Sequence, residues 1–234
     1  MLATAAMRRA CTRMLCASPR VMRPTSQPTL SFDPSAKTAM DKQEPPAPGA
    51  DFRVVIVGAG NINFGSDEGP WNHSFRLEHK LGPRLKVVAL IDPDAERARR
   101  VLKTKCQSFV LSAYKDTVVY PTFKDYMASV CAETYPHAVW VGSPPAFRGG
   151  TEPGRNLEQL LTAGLPNVPL FIEKPVSTGA VDQTFEVAKM LEQNGSLVSV
   201  GYMLRYLKVV QKMKQIIADN HLRVMAVNAR YIMA

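Results

Sequence analysis

The segment Arg53-Val54-Val55-Ile56-Val57-Gly58-Ala59-Gly60-Asn61-Ile62-Asn63 constrains the fold of this chain more than any other. Four consecutive β-branched residues, Val54 to Val57, read as a strand buried on both faces. The strand stops at Gly58-Ala59-Gly60. Two glycines directly after such a strand let the chain turn sharply and let backbone approach a pyrophosphate with no Cβ in the way. A helix beginning there offers free N–H groups and the positive end of its dipole. Gly58, Gly60, Asn61 and Ile62 are therefore candidate dinucleotide-binding residues. Asn63 stands where the fingerprint has its third glycine, so a tight turn in any α/β protein remains an open reading of the motif alone.

A second buried-strand run, Val87-Val88-Ala89-Leu90-Ile91, ends at Asp92. An acidic residue at that place accepts hydrogen bonds from the adenine ribose hydroxyls, and it repels a 2′-phosphate. NAD is thus expected over NADP, with NADP not excluded because Arg97 lies one helical turn further on. The interval from the glycines is roughly thirty residues rather than the usual twenty or so. Phe64-Gly65-Ser66-Asp67-Glu68-Gly69-Pro70-Trp71, with two glycines, a proline and no apolar period, reads as an inserted loop. A helix follows, with Asn72 as N-cap and Gly82 just past its end. The competing reading of Asp92 is an Asx turn before Pro93.

Hydrophobic content of 46% and charged content of 21% are globular values. No apolar run approaches the roughly 18 residues of a membrane span. The net charge is +9, but residues 1–50 hold seven basic against three acidic residues, so +4 of it lies there. The basic residues beyond are scattered and not interleaved with aromatics, which argues against a nucleic-acid partner. Cys11, Cys16, Cys106 and Cys131 form no C-x-x-C and no zinc spacing with the four histidines, so no metal site is expected.

Residues 1–32 contain no acid, and Met7, Cys11, Met14 and Leu15 share a helical face opposite Arg9, Arg13 and Arg20. Such a start resembles a mitochondrial transit peptide; a plain disordered extension on a cytoplasmic protein is the alternative. Residues 23–50, with six prolines among Ser, Thr and Ala, read as a linker. The domain reading is a leader over 1–50, a dinucleotide-binding domain over 51–202, and the start of a second domain over 203–234.

From residue 51 strands and helices alternate: strand 53–57, helix 72–81, strand 86–91, helix 94–104, strand 117–119, helix 123–133, strand 138–141, helix 154–163, strand 169–172, helix 180–193 and strand 197–201. This order predicts an α/β doubly wound parallel sheet with ligands at the carboxyl ends of the strands. Two loops at such ends carry further candidates. Val141-Gly142-Ser143-Pro144-Pro145 is a rigid turn able to pass a cofactor with Ser143 and Pro144, or simply a strand-to-helix turn. Leu170-Phe171-Ile172-Glu173-Lys174-Pro175 places a Glu-Lys pair at the mouth of a buried strand. That pair is either a solvated surface pair or a lysine able to polarise a hydroxyl or carbonyl.

Taken in order, Gly58-Ala59-Gly60, Asp92, Ser143-Pro144-Pro145, Glu173-Lys174-Pro175 and Gly201-Tyr202-Met203-Leu204-Arg205-Tyr206 resemble the Gfo/Idh/MocA oxidoreductases over residues 52–234. The resemblance implies an NAD(P)-dependent oxidoreductase of a sugar, polyol or related carbonyl compound. It places Lys174 beside the nicotinamide and the reacting carbon as the catalytic residue, and Glu173 in the cofactor site. Three departures stand out. Asn63 replaces a glycine, and Arg148 stands where the family commonly has a histidine. The family's second α+β domain, which carries an Asp…His pair acting with the lysine, would begin near residues 223–232 as a strand. That implies a truncated second domain here, a chain that self-associates through an unpaired edge, and no dehydrogenase turnover by these residues alone. A homo-oligomer is compatible with the family. The alternative of another class is a non-catalytic nucleotide-binding module serving regulation or assembly, because the same fold hosts both.

Overall fold

The computed structural model describes residues 46–66 and 72–230. The expected transit peptide, the linker as far as residue 45 and the middle of the inserted loop lie outside the described residues. The described chain divides after Val200 into two compact units.

The first unit is built on one six-stranded parallel sheet: β1 (Phe52–Val57), β2 (Leu85–Ile91), β3 (Val118–Tyr120), β4 (Ala138–Val141), β5 (Leu170–Ile172) and β6 (Val198–Val200). Their spatial order is β3-β2-β1-β4-β5-β6. The chain therefore winds outward from β1 in one direction, returns, and winds outward from β4 in the other. Between β1 and β4 the crossovers diverge, which opens a crevice at the carboxyl ends of those strands.

The four residues Val54 to Val57 are at most 6% exposed. Side chains alternate across a strand, so Val54 and Ile56 face one core while Val55 and Val57 face the other. The first core receives α2 (His73–Leu81), α3 (Ala95–Cys106) and α4 (Leu111–Tyr114) through Leu77, Ala98, Leu102 and Tyr114. The second receives α5 (Phe123–Ser129), α6 (Leu157–Gly164) and α7 (Val181–Gln193) through Phe123, Tyr126, Leu161, Val187 and Leu191. Each such fully buried aliphatic side chain contributes about 2 kcal/mol. The register of β1 on β2 shifts between Val54 and Val55. The shift lets Leu90 share a core with Leu85 and Val87 while Ala89 and Ile91 turn to the opposite one.

A short helix, α1 (Asn61–Phe64), follows the glycine turn and ends at Gly65. The next helix begins at His73, capped by Asn72, whose side chain accepts from Phe75 N. The helix expected over 123–133 stops at Ser129. Val130 is extended, and Thr134 Oγ1 accepts from Cys131 N, so a local side-chain turn replaces the last helical turn.

In the second unit, a 3₁₀ turn over Met203–Tyr206 leads into α8 (Lys208–Asp219). Val209, Met213 and Ile216 recur along α8 at helical spacing, and all three are exposed. The strand expected near 223–232 is not formed over its described part: residues 223–230 are irregular and exposed. A strand needs a neighbour for its N–H and C=O groups, and no described strand pairs with this segment.

Candidate functional site

The strands end in line. Val57 pairs with Ile91 on one side and Val141 on the other, and Val141 pairs with Ile172. The residues that come next, Gly58, Asp92, Gly142 and Glu173, each donate their N–H to a carbonyl of the neighbouring strand at 2.8–3.0 Å. Four loops far apart in sequence thereby open on one edge, around a cavity of about 400 Å³.

All nine residues singled out from the sequence lie on its wall. Gly58, Gly60, Asn61 and Ile62 come from the turn after β1. Gly58 has φ +98°, and a Cβ there would sit 3.0 Å from Ser143 N, so both backbone conformation and the close approach of the β4 loop require glycine. Gly60 differs: its φ is −77° and a Cβ would meet nothing within 4 Å. That Cβ would stand in open space, and Gly60 lines the cavity. The first N–H groups of α1 have no partner inside their own helix and are available there.

Asn63 supplies what the missing third glycine would not. It is fully buried, and its Nδ2 donates to Val57 O (3.1 Å) and Gly58 O (2.7 Å). The side chain clamps the turn from beneath. In exchange Gly142 must be glycine, because a Cβ there would collide with the Asn63 amide.

Asp92, 3% exposed, accepts from Ala59 N through Oδ2 (2.6 Å) and from Asp94 N and Arg97 Nη2 through Oδ1 (2.8 and 2.9 Å). It fixes the glycine turn and makes an Asx turn through Asp94 N. Oδ1 is filled, while Oδ2 retains acceptor capacity. Arg97 also lines the cavity. Its hydrogen bond to Asp92 holds the guanidinium pKa above the usual value.

Ser143 and Pro144 line the cavity from the β4 loop, and Arg148 joins them. Arg148 is 1% exposed; it donates from Nε to Ser143 O (3.0 Å) and from Nη1 to Val176 O (2.9 Å), tying the β4 loop to the β5 loop. Glu158 on α6 accepts from Gly149 N (2.8 Å); burial pushes its carboxyl pKa up, against that N–H and the Arg148 charge.

On the β5 side Lys174 is exposed at the cavity mouth, followed by a cis peptide to Pro175. Glu173 is 8% exposed. Its Oε1 pairs with His73 Nε2 (2.9 Å) and its Oε2 accepts from Lys174 N (2.5 Å). Burial alone would raise the Glu173 pKa; the hydrogen bonds from His73 and Lys174 N outweigh it and hold the carboxyl below the ordinary range. His73 and Asn63 were not marked as functional from the sequence. The only signal for His73 is its place directly after a helix cap that closes an inserted loop. Among the described residues no group of three or more His, Cys, Asp or Glu could hold a metal ion, and no helix is long and apolar enough to cross a membrane.

A family model described as the oxidoreductase family with an NAD-binding Rossmann fold matches residues 52–202. A model for an oxidoreductase C-terminal domain matches residues 205–234. Two uncharacterized proteins of Schizosaccharomyces pombe are 44% and 43% identical over 185 and 192 residues. These alignments take in 78% and 81% of this chain but 48% and 47% of those proteins, so the chain spans about half the length of the curated relatives it matches. Among solved structures, the WlbA dehydrogenase of Chromobacterium violaceum, in complex with NADH and UDP-GlcNAcA, is similar at TM-score 0.52 and 16% identity. It covers 76% of this chain and 43% of its own. A super-repressor mutant of Saccharomyces cerevisiae Gal80p is similar at TM-score 0.53 and 18% identity, covering 74% and 39%. At these identities the likeness shows the fold.

The exchange between Asn63 and Gly142 is testable by a double-mutant cycle. Gly142→Ala should cost about 2–3 kcal/mol from overpacking against a buried, hydrogen-bonded amide. Asn63→Gly should cost about 2 kcal/mol from two lost hydrogen bonds and a void. In the double variant the methyl enters the vacated space, so urea unfolding should show a cost at least about 1 kcal/mol below the sum. Simple additivity would mean that the two positions are independent.

Proposed function

Because this chain belongs to the Gfo/Idh/MocA oxidoreductase family, with its NAD-binding Rossmann fold, we propose that the strand-end cavity holds NAD and serves a dehydrogenase acting on a sugar, a polyol or a related carbonyl compound. The observation that carries the proposal is the convergence of Gly58, Gly60, Asp92, Ser143, Glu173 and Lys174 on one cavity. The residues present fit the group: Gly60 leaves open space above the turn, and Gly60, Asn61, Ile62 and the buried carboxylate of Asp92 line the same cavity. Gly60, Asn61 and Ile62 would bind the pyrophosphate through main-chain N–H groups. Asp92 Oδ2 would accept a ribose hydroxyl. Ser143, Pro144 and Glu173 would flank the remainder.

The nicotinamide supplies hydride transfer, and the protein supplies orientation and electrostatics. Lys174 Nζ is the group assigned to the substrate oxygen. As an ammonium it would give a proton to the carbonyl oxygen being reduced and become an amine; in the reverse direction the amine would take the proton leaving a hydroxyl. The fold is shared by a dehydrogenase and by Gal80p, so fold alone does not separate a catalyst from a regulatory module.

Calorimetric titration checks the site. Gly60→Val should lower NAD affinity by at least about a hundredfold, with an unchanged melting temperature, because φ −77° suits valine and its Cβ meets no protein atom. Unchanged affinity would reduce the turn to a structural element. A screen over hexoses and inositols checks the chemistry. These residues alone should bind NAD without turnover, because the resemblance places the Asp…His pair that acts with Lys174 in the second domain. Substrate-dependent NADH production by this chain, reduced roughly 10²–10⁴-fold in Lys174→Ala while NAD binding holds, would show that this half suffices for the chemistry.

Cofactor choice follows from Asp92. NAD should bind about tenfold more tightly than NADP, since the carboxylate repels a 2′-phosphate and Arg97 offsets only part of that. Asp92→Ser should narrow or reverse the preference; tighter NADP binding by the unsubstituted protein would defeat the assignment.

A further inference from the structure

The break between α1 and α2 has a structural product. Helix α1 ends at Gly65 with φ +91°, and α2 restarts with His73 as its first residue. Asn72 fixes that start, accepting from Phe75 N (2.8 Å) and Ser74 Oγ (2.9 Å). His73 is 4% exposed. Its ring stands edge-on to Phe171 at 4.9 Å and 5.5 Å from Trp140. Trp140 and Phe171, from adjacent strands, stack on each other at 4.1 Å. This aromatic platform presents His73 Nε2 to Glu173 Oε1, a hundred residues away in sequence. The hydrogen bonds from His73 and Lys174 N favour the ionised Glu173 carboxyl over its neutral form, so Nε2 is the donor; Nδ1 has no hydrogen-bond partner among the described residues. The other Glu173 oxygen is taken by Lys174 N. Glu173 is thus an anion with both oxygens anchored, on the cavity wall beside Lys174. A buried pair of this kind is a poor source of stability compared with apolar packing, and it lies where charge matters to a ligand.

We propose that His73 is a positioning residue that holds Glu173 as an oriented anion on the cavity wall, and that this anion biases the site toward the oxidised, cationic nicotinamide over the neutral reduced one. The proposal rests on the reading that the nicotinamide end of the dinucleotide lies beside Lys174. The Lys174 ammonium on the same wall disfavours a cationic ring, and the fixed Glu173 charge offsets it. His73 and Glu173 are both buried, which raises the value of that charge.

The test is the ratio of dissociation constants for NAD⁺ and NADH, measured on the same 234-residue chain by calorimetry and by NADH fluorescence. Glu173→Gln keeps the shape and removes the charge; it should raise the NAD⁺/NADH ratio about tenfold. His73→Phe keeps the ring on its platform and removes the donor; it should raise the ratio about threefold, as the carboxylate loses its anchor. His73→Gln restores an N–H donor and should return the ratio to within about twofold of the unsubstituted value. Equal losses of both affinities in His73→Phe would show packing only and overturn the proposal. An unchanged ratio in Glu173→Gln would overturn it too, whether or not His73→Phe folds. Binding of neither nucleotide by the unsubstituted chain would remove the site reading itself, a separate outcome.

Discussion

The common register of β1, β2, β4 and β5 is the constraint on which the rest of the molecule depends. Val57 opposite both Ile91 and Val141, and Val141 opposite Ile172, bring four strand ends to one line. A slip of one residue in any of these strands would carry its side chains to the other face. Asp92 or Glu173 would then point its carboxylate into a hydrophobic core. Burial enforces the register: Val54, Val55, Ala89, Leu90 and Val139 have no exposed surface, and a shifted strand would forfeit about 2 kcal/mol at each large aliphatic position. The hydrophobic core therefore sets the geometry of the polar edge.

The strands and the edge were legible in the sequence because they follow local rules. Buried parallel strands are continuous apolar runs, and the chemistry begins where each run stops, at Gly58, Asp92, Gly142 and Glu173. Helix α2 was legible from Asn72 and Gly82. What escaped was what depends on contacts between distant segments. Asn63 looked like a defect in a glycine fingerprint. It is a clamp whose bulk is accommodated by Gly142, on another strand. Arg148 looked like a departure from a family histidine; its partners are the carbonyls of Ser143 and Val176, one of them on a separate loop. His73 carried no signal beyond its place after a cap, since its partners come from β4, β5 and the end of β5. The shift in register between β1 and β2 has no local signature either. Helix α5 ended early because Thr134 offered the backbone a local alternative, a competition that periodicity does not register.

The charges of the cavity wall form a pattern that neither motif alone suggests. Two buried carboxylates stand on opposite sides of the β1–β4 crevice, Asp92 after β2 and Glu173 after β5. In each, one oxygen takes a main-chain N–H of a cavity loop and the other a side-chain donor, with Asp92 Oδ1 taking Asp94 N as well. For Asp92 these are Ala59 N and Arg97; for Glu173 they are Lys174 N and His73. Between them lies the glycine turn, whose helical N–H groups attract negative charge. The two carboxylates and the turn between them thus stand in the order acceptor, donor, acceptor, with cationic Arg97 beside the first carboxylate and Lys174 beside the second. A dinucleotide carrying ribose hydroxyls at one end, a pyrophosphate in the middle and a cationic ring at the other has the complementary order. The partners of the two carboxylates differ in a way that suits their ends. Arg97 is a permanent cation and half-exposed, so its turning toward solvent would free one acceptor position on Oδ1, which keeps its bond from Asp94 N. His73 is sealed behind Trp140 and Phe171, so Glu173 stays fixed. Under the proposed reading, recognition at the ribose end can adapt while the electrostatics at the reacting end cannot. Preorganised charge contributes to catalysis only where it does not have to move.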